Sequence, residues 1–294
     1  MSDVRTSVGF IGLGNIGKPM ALRLAASDDI ALTVFDVAPG PVAELEAAGA
    51  TVAPSIAELA AEVSVVCVMV RDDDQVRDVL TQVLAPRAEQ SSSDGLTVVI
   101  HSTVAPGTPA QLADTASRHG VRVLDAPVSG GAMGAADGTL AILVGGTDDA
   151  VAVARPALEM MGSHVVHAGP IGAGTRFKLA RNLMHFTAFT AATEAQRLAE
   201  AAGLDIAELG KVVRHTDAVT GGAGAIMLRN STAPIEPADF WYGVFAHVVA
   251  LGEKDLSFAL ELADELGVDL PLARLARERL ASGLGMPSTP VGPS

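Results

Sequence analysis

The 294-residue sequence predicts an α/β fold, with a doubly wound, mostly parallel sheet in the N-terminal part and an all-α C-terminal domain. Three observations carry that expectation. A short apolar strand runs into a glycine turn and a helix within residues 8–26. Strand-like and helix-like segments then alternate as far as residue 168, the pattern of a sheet with helices on both faces. Beyond the junction Gly169-Pro170-Ile171-Gly172-Ala173-Gly174 the strand signal disappears.

Residues 8–11 form the first expected strand and residues 18–26 the first helix. Between them Gly12, Gly14 and Gly17 stand at G-x-G-x-x-G spacing. The first glycine makes a tight turn, the second lets a pyrophosphate approach the backbone, and the third lets helix and strand pack closely, while the helix N-terminus offers its free N–H groups to phosphate. The next strand, 31–35, ends at Asp36, where a carboxylate can hold a ribose diol. A purely structural glycine turn is the plainer alternative, and the readable strand, helix and acid weigh against it. The expectation is a Rossmann-type dinucleotide site, with Gly12, Gly14, Asn15, Ile16, Gly17 and Asp36 as cofactor-binding candidates.

A helix over 39–48, an extended piece near Thr51 and a helix over 56–61 come next. Residues 63–70 are a continuous, β-branched apolar run, as in a strand buried on both faces. An amphipathic helix over 72–84, a polar loop at 90–95 and a strand at 97–100 follow, then a helix from Pro106 to near Gly120 and a strand at 121–125. Two shorter strands, 139–144 and 165–167, flank a helix at 148–161. Ligands of such sheets bind at the C-terminal strand ends. Met69, Val70, Arg71, Ser102 and Thr103 fall there and join the cofactor candidates, and Ser129 lies just beyond another such end.

Residues 175–202 read as one long alanine-rich helix, followed by helices at 206–215, 225–228, 241–266 and 272–281. The expected organisation is a dinucleotide-binding domain over 1–168, a helical substrate and oligomerisation domain over 169–282, and a disordered, proline-containing tail over 283–294.

A net charge of −14 argues against nucleic acid or an anionic membrane as partner. No apolar run reaches the ~18 residues of a membrane span, and the N-terminus lacks a signal pattern. The single cysteine, Cys67, lies in an apolar strand and can form no internal disulfide, which fits the expected cytoplasmic location. Cys/His clusters are too sparse for a metal site, so none is expected.

Lys178 and Asn182 lie four apart and share a helix face directly after the glycine-rich junction. A helical lysine is ordinarily a solvated surface group. A cleft at the junction would change that: lost hydration and a neighbouring positive nicotinamide both lower an amine pKa towards neutrality, where it can accept and return a proton. Asp125-Ala126-Pro127-Val128-Ser129-Gly130-Gly131 leaves a strand through a hydroxyl and two glycines. Its N–H groups and the Ser129 hydroxyl could cradle a carboxylate; a strand-end turn that needs glycine is an equal alternative at this point.

The glycine turn 9–20, the segment 125–131, the run Gly172-x-Gly174-x-x-x-Lys178-x-x-x-Asn182 and Lys254-Asp255-Leu256 occur in one order and spacing. Together, over about residues 7–281, the chain resembles the β-hydroxyacid dehydrogenase family, which includes 3-hydroxyisobutyrate, tartronate semialdehyde and 6-phosphogluconate enzymes. The resemblance implies that Lys178 is the catalytic acid/base, that Asn182 positions the substrate or the lysine, and that Ser129, Gly130 and Gly131 hold the substrate carboxylate. It also implies that Ser102 and Thr103 lie near the nicotinamide, that Lys254 reaches cofactor or substrate, and that helical domains pair in a homodimer or homotetramer.

There are departures. Many members have Leu-Pro after the fourth strand, where this chain has Val70-Arg71-Asp72. Members that prefer NADP often carry Asn-Arg after the second strand; here Asp36-Val37-Ala38 offers a carboxylate that repels a 2′-phosphate and no arginine beside it, so NAD is expected over NADP. The 6-phosphogluconate branch needs a basic pocket and a longer chain, and imine-reducing relatives usually lack the lysine. The expected function is NAD-dependent interconversion of a small 3-hydroxy acid, 3-hydroxyisobutyrate first, and its semialdehyde. One rival is a reductase of bulkier carbonyl or imine substrates, suggested by Trp241 and Tyr242 beside Phe240, for which core packing is the plainer account. The other is a non-catalytic dinucleotide-binding protein, against which Lys178 and Asn182 speak.

Overall fold

The computed structural model describes residues 5–87 and 95–287. Most of the expected loop at 90–95 and the end of the expected tail lie outside the described residues. The elements are β1 (Thr6–Ile11), α1 (Gly17–Ala25), β2 (Ile30–Phe35), α2 (Pro39–Ala47), β3 (Thr51–Val52), α3 (Ile56–Glu62), β4 (Val65–Val68), α4 (Asp73–Leu84), β5 (Thr97–Ile100), α5 (Thr108–Ser117), β6 (Arg122–Asp125), β7 (Val128–Ser129), α6 (Gly131–Asp137), β8 (Ala141–Gly145), α7 (Asp148–Met161) and β9 (His164–Gly169). Helices α8 (Ala173–Ala201), α9 (Ile206–Thr220), α10 (Trp241–Leu266) and α11 (Pro271–Gly283) complete the chain.

The strands form one sheet in the order β3-β2-β1-β4-β5-β6-β8-β7, with β9 beside β8. The first six are parallel in the Rossmann order. The sheet is mostly parallel, as expected; at its far end β8 runs antiparallel to both β6 and β7, and β9 parallel to β8. Alternate residues of the central strands feed two cores, one with Phe10, Val34, Val65 and Leu124, the other with Ile11, Val66, Val98 and Ile100. That two-sided burial explains the unbroken apolar run of β4. Ser55, Asp72 and Thr147 start α3, α4 and α7 by accepting backbone N–H bonds.

Several expected boundaries move, and the helix expected at 206–215 runs on to Thr220. The helix expected from Pro106 begins at Thr108, with Pro109 in its first turn where a missing N–H costs nothing. The short helix expected at 225–228 is a 3₁₀ turn over Gly222–Ile226.

By contacts the chain falls into two compact units, 1–181 and 182–294. The division lies inside α8, whereas the strand signal ends at Gly169. The first turns of α8 side with the sheet because Gly174 lies hard against the backbone of Leu143 and Asp125, leaving no room for a Cβ. Within the second unit Ile235, Phe245, Val249, Ala281 and Met286 form one small core, against which Trp241 and Tyr242 pack, and Leu260, Ala263 and Leu270 form another. The buried Glu194 caps α11, accepting from the N–H groups of Leu272 at 2.8 Å and Ala273 at 2.9 Å. Among the described residues no helix is long and apolar enough to cross a membrane.

Candidate active site

The glycine turn is built as its spacing requires. Gly12 has φ +95°, and a Cβ there would strike the carbonyl of Met69. A Cβ on Gly17 would strike the Gly12 carbonyl, so the start of α1 rests directly on the turn. Gly14 faces open space with no atom within 4 Å of a built Cβ, which leaves its backbone approachable. Asp36, at the end of β2, accepts from Leu13 N at 2.5 Å and Ala38 N at 2.7 Å, so its carboxylate is fixed beside the turn.

These residues line a cavity of about 840 Å³. Gly12, Gly14, Asn15, Ile16, Gly17, Asp36, Met69, Val70 and Arg71 all lie on its wall, with Val37, Ile56 and Val79 as apolar surface. An open glycine backbone, a helix N-terminus and an anchored carboxylate around a space of this size fit a dinucleotide. The Ser102 hydroxyl is buried and already engaged, donating to Val70 O at 2.7 Å and accepting from Val70 N at 2.9 Å. It shapes the cavity wall through Val70. Thr103 is exposed, and neither residue is part of that wall.

Lys178 is buried in the second turn of α8. Its Nζ donates to Val128 O at 2.6 Å and to Ser129 Oγ at 2.7 Å. Burial, aided by the like charge of Arg181, lowers its pKa from 10.5 to about 8. A neutral amine has two N–H donors and one lone pair. Here both donors have acceptors, so the lone pair is what remains to receive a proton. Ser129, accepting from the lysine, keeps its own hydroxyl hydrogen for a ligand. Gly130 and Gly131 have φ +137° and +64°, backbone that only glycine adopts without strain. Asn182, half-buried, lies one turn along α8 from Lys178. Lys254 stands on α10 in the second unit, 3.1 Å from the Asp255 carboxylate.

Two residues absent from the sequence-derived list organise this centre. Asp125, fully buried at the end of β6, accepts from Gly172 N and Thr175 N, both at 2.6 Å, and so ties the start of α8 to the sheet. His101, also fully buried, bonds through Nδ1 to Ala126 O at 2.9 Å, at the head of the turn carrying Val128 and Ser129. Burial lowers its pKa to about 4, so it is neutral and donates from Nδ1, while Nε2 has no partner among the described residues. Among the described residues no group of three His, Cys, Asp or Glu side chains could hold a metal ion.

The fold and this wall are those of the dinucleotide-binding α/β proteins. Residues 7–169 match the family model of the NAD-binding domain of 6-phosphogluconate dehydrogenase, and residues 172–286 that described as NAD-binding of NADP-dependent 3-hydroxyisobutyrate dehydrogenase. The chain belongs to the β-hydroxyacid dehydrogenase family. It is 50% identical over 289 residues to an uncharacterized oxidoreductase of Mycobacterium tuberculosis, covering 98% of this chain and 96% of that one. It is 36% identical over 277 residues to a 3-hydroxyisobutyrate dehydrogenase of Pseudomonas aeruginosa, covering 92% and 90%. A crystal structure of a Mycobacterium avium protein classed as an oxidoreductase superposes with a TM-score of 0.90 at 47% identity, covering 96% and 99%. An imine reductase of Streptomyces aurantiacus, with a TM-score of 0.74 at 20% identity over 96% of each chain, shares the fold alone.

Proposed function

We propose that the chain is an NAD-dependent dehydrogenase that interconverts a small 3-hydroxy acid and its semialdehyde, with 3-hydroxyisobutyrate the first candidate. The observation that carries this reading is the buried Lys178 amine, its donors taken up by Val128 O and Ser129 Oγ and its pKa brought to about 8. The name of the P. aeruginosa relative supports the substrate class. Bound nicotinamide would supply the hydride acceptor. In oxidation, neutral Lys178 takes the hydroxyl proton of the substrate; in reduction, protonated Lys178 returns it to the aldehyde oxygen. The Ser129 hydroxyl and the turn at Gly130 and Gly131 receive the substrate carboxylate, Asn182 orients the reacting group, and Thr103 and Lys254 complete the cofactor contacts. Asp36 accepts the ribose hydroxyls and disfavours a 2′-phosphate, which selects NAD.

In this reading residues 1–168 bind the dinucleotide, while 169–282 complete the substrate site and pair with a second copy in a homodimer or homotetramer of the cytoplasm. Lys178→Ala should retain NADH binding by fluorescence titration and lose roughly 10²–10⁴ in kcat. Near-normal turnover would refute the role of the lysine. A panel of 3-hydroxyisobutyrate, 3-hydroxypropionate, glycerate and serine, with cyclic imines as a further arm, decides the substrate by kcat/KM. No NADH formation on any hydroxy acid would favour the reductase or the non-catalytic reading.

A further inference from the structure

The cofactor cavity carries charge of both signs. Asp36 and Asp78 are its acids, and Arg71 is the one lysine, arginine or histidine on its wall among the described residues. The backbone at Arg71 is held in place: its N–H donates to Gln75 Oε1 at 3.0 Å, while the next residue, Asp72, caps α4 by accepting from Gln75 N at 3.0 Å. The Arg71 side chain is 81% exposed, and its Nε meets the neighbouring Asp72 carboxylate at 3.2 Å. The terminal nitrogens of its fork have no partner among the described residues and remain for a ligand. In sequence no arginine stands beside Asp36; in the fold the turn after β4 brings one to the same cavity.

We propose that Arg71 is a specificity residue for the adenosine end of the cofactor, the group that receives a 2′-phosphate when the Asp36 carboxylate does not repel it. The inference rests on the reading of Asp36 given above. The site is the adenosine end because Asp36 marks the ribose hydroxyls and Val37, Ile56 and Val79 provide apolar wall beside it. A guanidinium pairs with phosphate through parallel N–H bonds, whereas NAD presents only a neutral hydroxyl at that position. The preference for NAD therefore hangs on one carboxylate and is incomplete.

Fluorescence titration with NADH and NADPH, which differ only in the 2′-phosphate, tests this without turnover. Wild type, Arg71→Ala, Asp36→Asn and the double variant are compared. In Asp36→Asn, NADPH affinity should rise by about tenfold or more, and adding Arg71→Ala should remove that gain, lowering NADPH affinity at least about fivefold more than NADH affinity. Retention of the gain without Arg71 would overturn the proposal. So would equal loss of NADH and NADPH, which would place the guanidinium on the pyrophosphate. Wild type binding both cofactors equally would sink the Asp36 reading alone, and Arg71→Ala by itself would then decide the arginine by whether NADPH binding falls selectively. The same single variant decides it if Asp36→Asn fails to fold.

Discussion

Lys178 sets a pH dependence whose sign depends on direction. Its amine must be neutral to accept the hydroxyl proton, so kcat/KM for oxidation should rise with pH through about 8 and level off above it. Reduction needs the ammonium form and should fall through the same pH. Ser129→Ala leaves one N–H of the neutral amine without an acceptor and should cost about tenfold in kcat, the scale of one hydrogen bond. His101 acts on stability. Its folded pKa of about 4 lies below the 6.5 of an unfolded histidine, so the unfolded chain binds the proton more readily. Nothing is lost above pH 6.5; stability declines as pH falls from 6.5 towards 4, by at most roughly 3 kcal/mol. Urea unfolding at pH 7.5 and 4.5 should show a smaller difference for His101→Gln, which can still donate to Ala126 O.

The helix that carries the lysine is anchored by one carboxylate. Asp125→Asn leaves a single acceptor for two N–H groups and aims a donor at one of them, so unfolding free energy should drop by roughly 3 kcal/mol by urea titration. Turnover should drop with it, because α8 places Lys178. The glycine turn was legible in sequence because each glycine meets a local demand within a few residues of chain, and β4 because two-sided burial leaves an apolar run. In sequence Asp125 stands out only as the end of a strand and the start of a turn, since its partners Gly172 and Thr175 are 47 and 50 residues away and no short-range pattern joins them. The pair β7 and α6 was missed because a two-residue strand and the helix GAMGAAD have no apolar periodicity. Ser102 is legible as a strand-end residue, but the bonds of its hydroxyl to the Val70 backbone, 32 residues away, are not.

The second unit has little core for its length. Helix α9 buries none of its residues, and Leu183, Phe186, Phe189, Val219 and Phe258 are more than half exposed. Apolar surface on this scale is ordinarily covered. Light scattering at micromolar protein should find a dimer or larger, and Phe186→Glu should shift it towards monomer; a monomeric wild type would contradict the pairing. At the opposite extreme lies Cys67, wholly enclosed in β4 between β1 and β5, its thiol pushed up to about 12 by burial. A thiol so placed meets an alkylating reagent only when neighbouring strands part. The molecule thus contains its own clock for sheet opening, and because cofactor would bridge β1, β2 and β4, saturating NADH should slow the modification of this one sulfur.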